Sequence, residues 1–215
     1  MVQKRVESQV DVKYPPPQAI IISKKDLQEV LAEDKKRYST ITSSLKTKIL
    51  YSLCSNPNSA QNILWRYVKT LRYTEYYLNN SLYCVHGLRA VVMTIAYVWE
   101  VYLLRKLAYK TGIQIPPNVF DRGLQIYHWG SIIVNGSAKV GKNAKIYPGV
   151  VIGAHKQACP IIGNDCFIGA GAKITGGITI GDNVTIAPNA VVNKSFPSNT
   201  VVGGIPAKII KYKND

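Results

Sequence analysis

From Val140 to Val192 an Ile or Val returns every sixth residue, at Val140, Ile146 and Ile152 and again at Ile162, Ile168, Ile174, Ile180, Ile186 and Val192. A second register follows four places behind, at Ala144, Val150, Cys166, Ala172, Ile178, Val184 and Ala190, with Gly, Asn, Asp, Pro and Lys in the gaps. A six-residue period is neither the period of about 3.6 of a helix nor the period of about 2 of a single strand. The apolar side chains must therefore stack at equivalent positions of successive short strands, which predicts a parallel β-solenoid. Gly141-Lys142-Asn143, Gly163-Asn164-Asp165 and Gly181-Asp182-Asn183 suit corners with unusual backbone angles, and three such corners close a coil. A β-sandwich would not hold one phase for so long.

The flanking segments read differently, so the expected class is α+β. Residues 1–22 contain Pro15-Pro16-Pro17 and form an extended arm. Residues 23–112 form a helical domain. Ser23 with Asp26 makes a capping box for its first helix, which runs toward Arg37. A second helix covers about 44–54. A third starts at Asn58 and stops at Asn79-Asn80, and a fourth covers about 85–110 with Gly112 as its punctuation. Residues 113–206 form the solenoid and 207–215 a basic tail. The step from Ile132 to Val140 is eight residues and that from Ile152 to Ile162 is ten. The longer step marks a loop excursion through Ala154-His155-Lys156-Gln157-Ala158-Cys159, the kind of place where solenoids carry function.

Of 215 residues 47% are apolar, enough for a sizeable core. The net charge is +15, and between Lys35 and Arg72 eight basic residues stand with no acid beyond Asp34. Such a region attracts an anionic membrane face, a lipid-linked glycan or the phosphates of coenzyme A. No nucleic-acid-binding motif is present, so no nucleic-acid partner is expected. The N-terminus lacks a secretory pattern, and the apolar run Ala90 to Trp99 ends at Glu100, short of a membrane span. The four cysteines have neither paired nor disulfide-type spacing. A cytoplasmic location, peripheral to a membrane at most, follows as the expectation.

Hydroxyl attack on a thioester needs a base, and imidazole is suited to it near neutrality. The chain has three histidines, His86, His128 and His155. His86 falls in the helical region. His128 lies between the inward-facing Ile126 and Ile132, next to Gly130, and so projects from a coil. His155 sits in the excursion. Cys166 occupies the inward register and reads as a small buried hydrophobe. Only two histidines fall in the solenoid, so no metal site is expected.

The run Ile126-Tyr127-His128-Trp129-Gly130-Ser131, with Gly169-Ala170-Gly171-Ala172-Lys173 and Gly204-Ile205-Pro206-Ala207-Lys208, resembles the serine acetyltransferase branch of the hexapeptide-repeat acyltransferases. The helical motifs Asp34-Lys35-Lys36-Arg37-Tyr38 and Arg72-Tyr73-Thr74-Glu75-Tyr76-Tyr77 resemble the sub-branch encoded with capsule and exopolysaccharide genes. The resemblance implies a left-handed parallel β-helix, with His128 as general base and acetyl-CoA in a groove between subunits of a homotrimer, which stands alone or is doubled through the helical domain. Gly149, Gly153, Ala154, Ala170, Gly171, Ala172 and Pro188 would admit the cofactor's slender arm, with Lys173, Lys208 and Lys211 at its phosphates. A backbone N–H near Gly149 or Gly153 would hold the oxyanion. His155, Tyr127, Trp129, Asp121, Cys159 and Glu75 are supporting or acceptor-side candidates. Three positions depart from the family pattern. Tyr127 stands where an acid precedes the base, Ile113 where an aspartate supports it, and Cys159 where a second histidine precedes a proline. The expected function is therefore acetyl transfer to a sugar hydroxyl of a capsular or exopolysaccharide. The alternatives are serine O-acetylation and a non-catalytic solenoid for assembly.

Overall fold

The computed structural model describes residues 20–38, 58–83 and 87–213. Among the described residues three helices, α1 (Lys24–Lys36), α2 (Asn58–Tyr83) and α3 (Leu88–Thr111), precede the solenoid. The capping box of α1 is formed: Asp26 N–H donates to Ser23 Oγ at 3.0 Å and Ser23 N–H donates to Asp26 Oδ2 at 2.8 Å. Ser23→Ala should cost about 1 kcal/mol of helix stability. Amide exchange along α1 checks it, and unchanged protection there would contradict it. Most of the Pro-containing arm and the helix expected near 44–54 lie outside the described residues.

α2 does not stop at Asn79-Asn80 as expected. Asn79 Nδ2 donates to the Ile21 carbonyl and Asn80 Nδ2 to those of Ile22 and Tyr76, so both side chains are satisfied without breaking the helix. α3 ends at Gly112, whose φ of 75° is the left-handed cap, with its N–H donating to Ala108 O at 2.8 Å. The outward side of α3 is apolar, with Leu88, Val91, Val92, Ile95, Val98, Trp99 and Tyr102 all exposed.

The solenoid has three faces. The first carries β1 (Ile113–Gln114), β3 (Ile132–Val134), β6 (Val151–Gly153), β9 (Lys173–Thr175) and β12 (Val191–Val192). The second carries β4 (Lys139–Val140), β7 (Ile161–Ile162) and β10 (Thr179–Ile180). The third carries β2 (Gln125–Ile126), β5 (Lys145–Ile146), β8 (Phe167–Ile168), β11 (Thr185–Ile186) and β13 (Thr200–Gly204), with β14 (Ala207–Tyr212) antiparallel to β13. All other pairings between these strands are parallel, and five strands stack on the first face. Both sequence registers point inward: Val140, Ile146, Ile152, Ile162, Ile168, Ile174, Ile180, Ile186 and Val192 are each 0% exposed. The corner between the second and third faces is taken in left-handed geometry by Asn143, Asp165, Asn183 and Asn199, residue types that tolerate it. Residues 207–212, expected as a basic tail, instead form β14, because Ala207 and Ile209 turn toward the core while Lys208 and Lys211 face out.

Among the described residues no coil precedes the first, and the helices supply its partners. Asp34 Oδ1 accepts from the N–H groups of Gly123 and Leu124 at 2.6 and 3.0 Å. Arg72 donates to the carbonyls of Phe120 and Asp121 at 2.7 and 2.8 Å, and Glu75 Oε1 accepts from Asn118 N–H at 2.9 Å. Arg72 also donates to Asp34 Oδ2 at 2.7 Å and to Glu75 Oε2 at 2.9 Å, which ties the three side chains into one buried cluster. Burial works against the Arg72 charge, but Glu75 and Asp34 together outweigh it and raise its pKa. Tyr67 Oη accepts from Ile115 N–H at 3.0 Å, and burial pushes its phenol up to about 12. The buried charges are thus paired and bonded to backbone, as burial of charge requires.

Candidate functional site

His128 stands at the corner between the third and first faces, just after β2 turns Ile126 inward. Tyr127 stacks on Tyr147 of the next coil with centroids 4.4 Å apart, and Tyr147 leans on Phe167 at 5.4 Å. The exposed His128 ring lies 6.1 Å from Tyr147. Burial and the neighbouring Tyr147 raise the Tyr127 phenol pKa, which Arg37 opposes. Gly130 is required here, since a Cβ at its φ of 138° would sit 2.9 Å from Pro148. Among the described residues His128 makes no hydrogen bond or ion pair, so its imidazole is open to a ligand.

Along the same corner the later coils present Pro148-Gly149, Ala170-Gly171 and Pro188-Asn189, so Gly149, Ala170, Gly171 and Pro188 of the expected lining share one edge with His128. A Cβ at Gly149 would lie 3.1 Å from the Gly171 backbone, which keeps this edge low. Ala172 points inward and is buried in the core. Lys173 donates to the Gly149 carbonyl, which fixes its ammonium beside this edge. The Gly149 N–H donates to Ser131 O at 2.6 Å, so it is not available for the oxyanion role expected of it. Lys208 and Lys211 are exposed on β14, at the far end of the third face.

The excursion occupies a different corner, between the first and second faces. His155 and Ala158 exchange backbone N–H to O bonds at 2.9 and 3.0 Å, closing a tight turn over Lys156 and Gln157, both at positive φ. Cys159 Sγ donates to Asn135 Oδ1 at 3.3 Å. Gly153 and Ala154 lead into this loop. Within one protomer His155 and Cys159 therefore sit at the opposite edge of the first face from His128, and the two groups do not meet. Glu75 is also remote from the open corner, since both of its oxygens are engaged in the buried cluster. Asp121 is buried, its Oδ1 accepting from Arg122 N–H at 2.7 Å. Trp129 is exposed beside His128.

Burial pushes the Cys166 thiol up to about 12, and its hydrogen bond to the Gly181 carbonyl engages it inside the stack. Sequence reasoning missed Tyr147 and Asn135. The first was visible, because Tyr127 and Tyr147 each follow an inward Ile and must share a column. Asn135 carried no such signal, since its contact depends on where the excursion folds. Among the described residues no group of three His, Cys, Asp or Glu is placed to hold a metal, and no helix is long and apolar enough to cross a membrane.

Residues 159–194 match the family described as bacterial transferase hexapeptide (six repeats). Over 106 residues the chain is 41% identical to a serine acetyltransferase of Staphylococcus xylosus, covering 47% of this chain and 49% of that protein. A serine acetyltransferase of Staphylococcus epidermidis is 40% identical over 108 residues, covering 48% and 51%. The chain thus spans about half the length of the curated relatives it matches. Among solved structures, the serine acetyltransferase of Brucella abortus strain S19 is 25% identical with a TM-score of 0.63, over 89% of this chain and 71% of that one. A serine O-acetyltransferase of Brucella melitensis is 26% identical with a TM-score of 0.64, over 88% and 69%. The fold shared with these structures, helices followed by a left-handed parallel β-helix, is the one expected.

These relatives overturn the expected capsular or exopolysaccharide acceptor, since they are named for serine. The reason lies in the helical motifs from which the sub-branch was read. Asp34, Tyr38, Arg72 and Glu75 face the backbone of the first coil and carry no information about an acceptor.

Proposed function

We propose that this hexapeptide-repeat chain is a serine O-acetyltransferase, moving the acetyl group of acetyl-CoA to the hydroxyl of serine with His128 as general base. The observation that carries the reading is an exposed, unbonded imidazole heading an edge of small residues, in a chain about 40% identical over about half its length to proteins named for this reaction. The serine oxygen attacks the thioester carbonyl while His128 takes its proton. The tetrahedral intermediate then expels the CoA sulfur, which receives that proton from the imidazolium. Neither Cys166, inside the stack, nor Cys159, bonded to Asn135, offers a competing nucleophile, which favours direct transfer.

The departures from the family pattern shape this site. The Ile113 side chain is fully buried, and Tyr127 stacks on Tyr147, so neither position brings a carboxylate to the base. We propose that a neighbouring subunit of a homotrimer brings its excursion, with His155 and Cys159, against His128. The exposed Ile133, Ile205 and Ile210 of the solenoid suit such a seam, and the apolar outward side of α3 suits a doubling of trimers. Light scattering should give three or six protomer masses, and a fully active monomer would contradict the seam.

The acceptor is tested by thiol release from acetyl-CoA with and without L-serine, with the product identified by mass. Serine-dependent release yielding an O-acetylated serine is expected. Release that ignores serine would reject the acceptor, and no release under any condition would favour the assembly reading.

A further inference from the structure

We infer that Tyr38 is a positioning residue for His128, an inference that rests on His128 being the base. In the later coils the backbone draws its partner from the coil before it: Asn143 N–H donates to Arg122 O at 2.9 Å, and Val140 O accepts from Asp121 N–H at 2.9 Å. The first coil presents the same groups at Gly123, Phe120 and Ile126, but among the described residues no coil precedes it. At Ile126 the substitute is Tyr38, whose Oη accepts the Ile126 N–H at 2.9 Å.

Ile126 is two residues before the base. On its other side Tyr127 N–H donates to Ile146 O at 3.2 Å, and the next anchored group is Gly130 N–H, which donates to Thr111 O at 2.8 Å. His128 and Trp129 span the interval between these anchors with exposed side chains. The course of the chain through His128 is therefore set by the Ile146 carbonyl and, one residue further back, by a hydroxyl at the end of α1 before it, and by the end of α3 after it. Tyr38 is suited to this because it is 2% exposed and its ring packs 5.8 Å from Trp65, which fixes the hydroxyl. The adjoining Arg37 adds a second hold, its Nη2 donating to Asn143 Oδ1 at 2.8 Å. Small displacements of a catalytic group are costly to rate, whereas binding of a cofactor along the later coils does not depend on this strand.

The test is Tyr38→Phe in the full chain, which removes one oxygen and keeps the ring against Trp65. Turnover should fall about 10-fold with KM for acetyl-CoA within about twofold of wild type, and the Ile126 amide should exchange faster. In the His128→Ala background the same change should leave the residual rate unaltered, because positioning a base matters only when the base is there. Equal losses in both backgrounds would mark a general loosening and overturn the inference, as would unchanged turnover in Tyr38→Phe. Full turnover in His128→Ala alone would remove the base, and with it this role of Tyr38. The two failures are told apart by which single variant keeps its rate.

Discussion

Turnover in His128→Ala should be lower than wild type by about 100-fold to 10,000-fold, the scale on which loss of a general base is felt. The change should be clean. The ring is exposed, contacts Tyr147 only at 6.1 Å between centroids, and bonds to no other described group, so its removal leaves the stack intact. Circular dichroism and the unfolding midpoint should match wild type, and KM for acetyl-CoA should hold while kcat falls. That split separates a base from a binding residue. A variant with wild-type kcat would show that another group takes the hydroxyl proton.

Arg72→Ala should destabilise the fold by about 3 to 5 kcal/mol, the range for removing one partner of a buried ion pair. Asp34 and Glu75 would remain inside without their cation, and the Phe120 and Asp121 carbonyls would lose their donors. Denaturant titration measures it, and Arg72→Lys should recover little, since one ammonium cannot reproduce a fork that bonds four acceptors. The pH dependence has a definite sign. Burial raises the Glu75 pKa, and Arg72 opposes that rise. Without Arg72 the folded state holds this proton to higher pH than the unfolded chain does. The stability of the variant should then be greatest in acid and fall as pH climbs above the ordinary carboxylate range. An unchanged midpoint would mean that the cluster is ornamental to stability.

Several local expectations failed where the deciding partner was distant in sequence. Asn79-Asn80 reads as a helix stop by propensity, yet the side chains find the carbonyls of Ile21 and Ile22, 58 residues away. The basic end reads as a tail by charge, yet Ala207–Tyr212 adds a strand because β13 offers an open edge. The motifs around Asp34 and Arg72 read as marks of an acceptor class, while their contacts are with the backbone of Gly123, Leu124, Phe120 and Asp121. His128 was legible as a projecting imidazole because the six-residue register says which side chains cannot turn inward. Its distance from His155 was not legible, because the eight- and ten-residue steps hide which corner each loop occupies.

By itself the sequence determined the solenoid, its inward residues and the outward imidazole, because a period of six is a local property that each coil repeats. Only the tertiary structure decided that the helices close the open end of the stack with Asp34, Tyr38, Tyr67, Arg72 and Glu75. It alone set His128 and the excursion on opposite edges of one face. Both depend on hydrogen-bond partners tens of residues apart, and no local pattern encodes such a pairing.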